Sequence, residues 1–187
     1  GMRGKLVSLA QEPLLDKRSG LLLEFFDAEW SPAESAGNNR VEPGHLFEWS
    51  WLLSEYNRLA VPTTQNMELI TQAAEHLFQI GLSRGKDPVT GLIYDAMTED
   101  GVVFERTTRI WPQTEFLRLL CTRRSLGKND SVLPHQLSEV FLARYTPPGL
   151  NGGWIDRFDD AGNPLVDYMP ASSLYHIYGA ARVLVTP

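Results

Sequence analysis

Histidine is the side chain whose ordinary titration lies nearest neutral pH, which suits it to moving a proton next to a carbonyl group. Two of the four histidines of this chain stand among residues that could share such work. In Pro43-Gly44-His45-Leu46-Phe47-Glu48-Trp49, a helix opened by Pro-Gly brings His45, Glu48, Trp49 and Leu52 onto one face, because residues three and four apart are neighbours there. A base, a carboxylate and a large aromatic then form one wall. The same spacing equally describes a buried histidine held by a neighbouring glutamate for structural reasons. The second histidine, His176, follows Met169-Pro170-Ala171-Ser172-Ser173-Leu174-Tyr175 near the start of another proline-opened helix. Between the two lie Arg109-Ile110-Trp111-Pro112-Gln113-Thr114-Glu115 and Gly153-Trp154. Tryptophan faces stack on sugar C–H bonds while carboxylates and arginine take hydroxyls, so Glu48, Arg109, Trp111, Glu115 and Trp154 together suit a polyol.

The elements that must bring these residues together follow from hydrophobic spacing. Helices are predicted over Leu6–Leu15, with Lys17-Arg18-Ser19-Gly20 as basic last turn and stop, and from Pro43 to Leu59. A third is capped near Thr63-Thr64, its stripe Met67, Ile70, Ala74, Leu77 and Phe78 ending before Gly81. The others run from Trp111 to Leu126, from Ser131 to Pro147, and from Ala171 to about Leu184. His76 and His135 fall off the apolar stripes and are read as surface residues. Gly20–Phe26 reads as a strand-like run followed by a polar loop over Ser31–Arg40. Short hairpins are expected from Gly91–Asp95 with Val102–Glu105, and from Gly153–Phe158 with Leu165–Tyr168. The list resolves into three copies of one unit: a helix, a glycine-led apolar hairpin or loop, and a proline-opened helix. Alternating helix direction puts all three insertions, and the starts of the three proline-opened helices, at one end. His45, Trp111, Glu115 and His176 should therefore meet at a common mouth.

Composition narrows the partners. The 187 residues are 43% hydrophobic and 10% aromatic, enough for one sizeable core. A net charge of −6 with no basic run beyond Arg123-Arg124 speaks against nucleic acid or an anionic membrane. The single cysteine, Cys121, sits in an apolar run as core filler and suits a reducing compartment. No stretch is long enough to span a membrane, residues 1–20 lack the order of a secretion signal, and a cytoplasmic location is the expectation. Gly1 before Met2 reads as a remnant of tag cleavage. No metal, nucleotide or flavin motif is recognised, so no cofactor and no metal are expected.

Three blocks carry a resemblance to a known family. Pro43-Gly44-His45-Leu46-Phe47-Glu48-Trp49, Arg109-Ile110-Trp111-Pro112-Gln113-Thr114-Glu115, and Gly152-Gly153-Trp154 through Leu174-Tyr175-His176 resemble the corresponding blocks of the N-acylglucosamine 2-epimerase family, which includes cellobiose 2-epimerases and mannose isomerases. The resemblance implies an all-α fold, with residues 1–187 as a single domain equivalent to the C-terminal half of an (α/α)6 toroid. It implies cofactor-independent isomerase or 2-epimerase chemistry on a small sugar. His45 and His176 would be the acid/base pair at C1 and C2, Glu48 would tune His45, and the tryptophans would hold the ring. The alternatives are a non-catalytic, carbohydrate-binding or oligomerising fragment of that family, a glycoside-processing enzyme using Glu48 and Glu115 as a carboxylate pair, and a metal site at His45, Glu48 and His176. Half a toroid leaves apolar flanks uncovered, so a homo-oligomer is expected.

Overall fold

The computed structural model describes residues 15–59 and 64–185. Its helices are α1 (Pro43–Leu59), α2 (Thr64–Arg84), α3 (Ile110–Ser125), α4 (Pro134–Tyr145) and α5 (Ala171–Val185). Helices α1, α3 and α5 lie side by side in one layer, with α2 backing α1 and α4 backing α3. The five helices match the sequence expectation closely in number and extent. The one expected over Leu6–Leu15 lies outside the described residues except for Leu15.

Leu15 already departs from that expectation, because it bridges Leu22 in antiparallel fashion. Lys17–Gly20 is a tight turn and not the end of a helix. The Asp16 carboxylate accepts hydrogen bonds from the Ser19 backbone N–H and hydroxyl, both at 2.7 Å, which closes the turn locally. Helix α2 likewise runs through Gly81 to Arg84. A Cβ at Gly81 would stand 2.8 Å from the Phe47 ring, so glycine serves here to let α1 and α2 approach, not to stop a helix.

Each helix layer is locked by apolar packing. Leu46 and Leu53 of α1 pack with Ile70 and Leu77 of α2 and with Leu21–Leu23 below them. Phe47 joins Phe116 at 4.5 Å and Phe78 at 6.4 Å between ring centres, tying α1 to both neighbours. Helix α3 is central, and almost every residue from Ile110 to Leu120 is buried, including Gln113, Thr114, Glu115 and Arg118. Its expected single stripe of Phe116, Leu119, Leu120 and Cys121 understates this, because α1 and α5 flank the helix while α4 covers its back.

The short strands assemble at the N-terminal ends of α1, α3 and α5. β1 (Arg40–Val41), β2 (Ala96–Thr98) and β3 (Val103–Glu105) form an antiparallel sheet with Arg40 opposite Thr98 and Ala96 opposite Glu105. The first hairpin therefore starts five residues later than Gly91, around the expected Glu99-Asp100-Gly101 turn. It also gains β1 from the stretch read as a polar loop. Buried Glu99 holds that loop through the Gly37 and Asn39 backbone N–H groups and the Asn39 amide. The second hairpin survives as a Phe158–Pro164 bridge, and its main pairing lies elsewhere: β5 (Arg157–Phe158) runs antiparallel to β4 (Thr108–Arg109).

Candidate active site

A cleft of about 420 Å³ opens where the three helix starts converge, lined among others by Glu42, His45, Arg109, Trp111, Asp156, Arg157, Tyr168, Ser173 and His176. Trp111 stands between the two imidazoles, its ring centre 4.8 Å from that of His45 and 5.3 Å from that of His176. The imidazole centres are thus no farther apart than the sum of those spacings, about 10 Å. Helix α1 reaches this position because its second residue is Gly44: a Cβ there would come within 2.5 Å of the Trp111 ring.

Each histidine is held by a carboxylate through Nδ1. His45 Nδ1 lies 3.0 Å from both oxygens of Glu24, and His176 Nδ1 lies 2.7 Å from Glu115. An ionised carboxylate only accepts, so Nδ1 is the donor in each pair, and neither Nε2 has a hydrogen-bond partner among the described residues. Glu115 is fully buried and also receives Arg118, whose guanidinium lies 3.8 Å over the centre of the Trp51 ring and 3.9 Å from Glu48.

Arg109 and Arg157 are fixed by a closed ring of ion pairs joining the two sheets. Glu42 pairs with Arg40 at 2.9 Å and Arg109 at 3.2 Å. Asp95 pairs with Arg109 at 3.3 Å and Arg157 at 2.9 Å, and Glu105 pairs with Arg157 at 2.8 Å and Arg40 at 2.6 Å. Three cations and three anions alternate, which orders the side chains with little net charge; a network of this kind orders more than an isolated surface pair does. Beside it, Ser173 donates to Asp156 at 2.5 Å, both being buried.

Of the residues singled out from sequence, His45, Arg109, Trp111 and His176 line the cleft together. Glu48 does not hydrogen-bond His45; it faces Glu115, His176 and Arg118 instead. Glu115 lies behind His176, away from the cleft wall. Trp154 packs into the cluster of Leu92, Ile110, Phe141 and Tyr145 and is not among the residues lining the cleft, because the segment before β5 is tied to the end of α4 by the Ile155 N–H, which donates to the Tyr145 carbonyl at 2.8 Å. His76 and His135 are exposed as expected. Sequence reasoning missed Glu24, Glu42, Asp156, Arg157, Tyr168 and Ser173. Only Glu42, three residues before His45 and at the very start of the Pro-Gly block, carried a local signal.

Among the described residues, two sets of side chains bring ligating atoms within 4.8 Å of one another: Glu24, Glu42 and His45, and Glu48, Glu115 and His176. In each set an arginine already neutralises a carboxylate, Arg40 and Arg109 at Glu42 and Arg118 at Glu115. The sequence-based grouping of His45, Glu48 and His176 as one metal site is divided between these two sets.

Burial of the His45 ring works against its charge, but the Glu24 hydrogen bond and the charges of Glu24, Glu42 and Glu48 outweigh it and raise its pKa. Burial, reinforced by the neighbouring Glu115 charge, raises that of Glu48. Both groups therefore hold a proton more tightly folded than unfolded. The stability each contributes is complete below its unfolded value, 6.5 for His45 and 4.5 for Glu48, and is lost as pH rises through the folded value. In urea unfolding followed from pH 6 to 9, the wild type should lose its stability margin over His45→Gln as pH rises. A margin that grows with pH would contradict the assignment.

A layer of helices whose starts converge on a tryptophan between two imidazoles, with short sheets at the rim, is part of an (α/α)6 toroid. The chain belongs to the N-acylglucosamine 2-epimerase (GlcNAc 2-epimerase) family, which it matches over residues 3–180. It is 32% identical over 177 residues to a mannose-6-phosphate isomerase of Rhizobium meliloti (strain 1021), covering 92% of this chain and 44% of that protein. Among solved structures it resembles a D-mannose isomerase with a TM-score of 0.77 at 19% identity, covering 98% of this chain and 49% of the other. It resembles the cellobiose 2-epimerase of Bacillus thermoamylovorans B4167 with a TM-score of 0.72 at 18% identity, covering 99% and 47%. The chain thus spans about half the length of these relatives.

Proposed function

We propose that this chain acts in cofactor-independent aldose isomerisation or 2-epimerisation, with His45 and His176 moving a proton at C1 and C2 of a small sugar. The observation that carries the reading is the placement of Trp111 between two imidazoles whose Nδ1 atoms are both tied to carboxylates. The tryptophan offers a flat apolar face to the C–H side of a sugar. The two Nε2 atoms are then free to take and return a proton on either side of an enediol. Isomerase and epimerase share that intermediate and differ in the carbon to which the proton returns. Arg109, Arg157 and the Ser173–Asp156 pair supply donors and acceptors for hydroxyls.

Turnover by the isolated chain is expected to be slow. The His45 side chain is 36% exposed, and water at an open site weakens the electrostatic stabilisation on which such a transfer depends. The test is incubation with mannose, N-acetylmannosamine and cellobiose in deuterated water, reading deuterium at C2 by NMR. Incorporation should occur with at least one sugar and vanish in both His45→Asn and His176→Asn. Incorporation that survives both substitutions would exclude the pair. Absence of label with every sugar would favour a carbohydrate-binding role for the cleft.

A further inference from the structure

The two imidazoles are held by carboxylates of different character. Glu115, behind His176, is shared with Arg118, so its charge already has a buried cationic partner. Glu42, which approaches His45 to 3.9 Å, is neutralised by Arg40 and Arg109. Glu24 differs from both. Its contacts among the described residues are the His45 ring and the Glu42 backbone N–H, which donates to it at 3.1 Å, and no arginine or lysine pairs with it. With 16% of its side chain exposed, Glu24 is poorly placed to be neutralised by solvent alone. Among the described residues, the group that can balance its charge is His45 itself.

We infer that Glu24 is a positioning residue for the proton transfer: its carboxylate accepts from His45 Nδ1, directs Nε2 to the sugar, and stands as the counter-charge for this imidazole when it carries the proton. The inference rests on the reading of His45 and His176 as the transferring pair. It gives the pair unequal partners: on the His45 side a carboxylate that favours an acid able to stabilise charge developing on a sugar oxygen, and on the His176 side a carboxylate already shared with Arg118. The other groups facing His45 agree with it. Glu42 adds an attraction at 3.9 Å that its pairing with Arg40 and Arg109 tempers, Glu48 adds a weaker one from α1, and Trp111 is uncharged.

No sequence pattern announces Glu24. It lies 21 residues before His45, in the segment between the Leu15–Leu22 and Phe26–Pro32 bridges. The Glu24 backbone N–H donates to the Arg40 carbonyl at 3.1 Å, which registers the segment against β1 and delivers the carboxylate to the start of α1.

The test uses the whole chain with ¹⁵N-labelled histidine, following each imidazole by NMR through a pH titration in wild type, Glu24→Gln, Glu24→Asp and Glu115→Gln. Glutamine keeps an acceptor for Nδ1 and for the Glu42 N–H but removes the charge. The His45 midpoint should fall by about one pH unit or more in Glu24→Gln, since an adjacent opposite charge typically moves a midpoint by that much. It should return toward the wild-type value in Glu24→Asp and should not fall in Glu115→Gln, where Glu48 ionises more readily. In the deuterium exchange assay, Glu24→Gln should lose about tenfold to a hundredfold in kcat, the usual range for a group that orients a functional histidine, with KM little changed. An unmoved His45 midpoint overturns the inference, and so does a shifted midpoint with unchanged exchange. Should the wild type exchange no deuterium with any sugar, the proposed function fails by that result, and the titration alone still decides whether Glu24 holds the His45 charge.

Discussion

Glu115→Ala is expected to cost about 3–5 kcal/mol of folding stability, the range for removing one partner of a buried ion pair. Glu115 is fully buried and binds both Arg118 and His176, and Arg118 is itself 4% exposed. Truncation leaves a nearly buried guanidinium with, among the described residues, one other carboxylate nearby, Glu48 at 3.9 Å. Relief is partial. The Glu115 charge is one reason the Glu48 proton is held tightly, so its removal lets Glu48 ionise more readily and take over some of the pairing. Replacing both residues, Glu115→Ala with Arg118→Met, should therefore cost clearly less than the two single changes together, because no unpaired charge then remains. Urea unfolding at pH 7 of the four species measures this. A single mutant within 1 kcal/mol of wild type, or an additive double mutant, would mean that Glu115 does not hold Arg118 in the folded state.

The same cluster illustrates what could and could not be read from the sequence. Helical periodicity correctly puts Glu48 on the His45 side of α1, but a helix face is wide enough to serve two neighbours. Glu48 turns toward α3 and α5, while the His45 Nδ1 turns toward the segment before β1. Spacing within one helix fixes a direction to within a neighbour, and the identity of that neighbour depends on the packing of other helices. The convergence of His45, Trp111 and His176 was legible because each lies near the start of a proline-opened helix, and alternating helices gather such starts at one end. Glu24 was not, because its contact with His45 depends on hydrogen bonds between short irregular segments that have no period to detect. Trp154 is placed away from the cleft for a different reason. A tryptophan after two glycines near a sugar-type site suggests a stacking platform, yet the pairing of β5 with β4 draws it into the apolar cluster beside α4. Two-residue strands such as β1, β4 and β5 are set by tertiary contacts such as the Arg–carboxylate ring, which joins residues as far apart as Arg40 and Glu105. Local propensity has no hold on them.

On the proposed mechanism, Trp111→Ala is expected to produce the largest combined loss, because the same ring is both core and wall. It is 8% exposed, flanked by both imidazoles, covered by the Arg109 guanidinium 5.5 Å from its centre, and backed by Gly44. Emptying so enclosed a volume costs about 3–5 kcal/mol of stability for a tryptophan-to-alanine change. It also frees both imidazoles to tilt into the space between them, where they no longer present their Nε2 atoms to opposite sides of one sugar. Deuterium exchange should then fall by about 10²- to 10⁴-fold, the contribution of a well-placed acid–base pair. The stability loss and the catalytic loss are separable. Trp111→Phe retains an aromatic wall and should recover most of the exchange while remaining less stable than wild type. Gly44→Ala keeps Trp111 but presses a Cβ to within 2.5 Å of its ring, so Trp111 must shift between the histidines. Exchange in that variant should fall with the indole still present. If Trp111→Ala and Gly44→Ala, assayed well below their unfolding midpoints, exchange deuterium as fast as wild type, then Trp111 is a core residue alone and the proton is moved elsewhere.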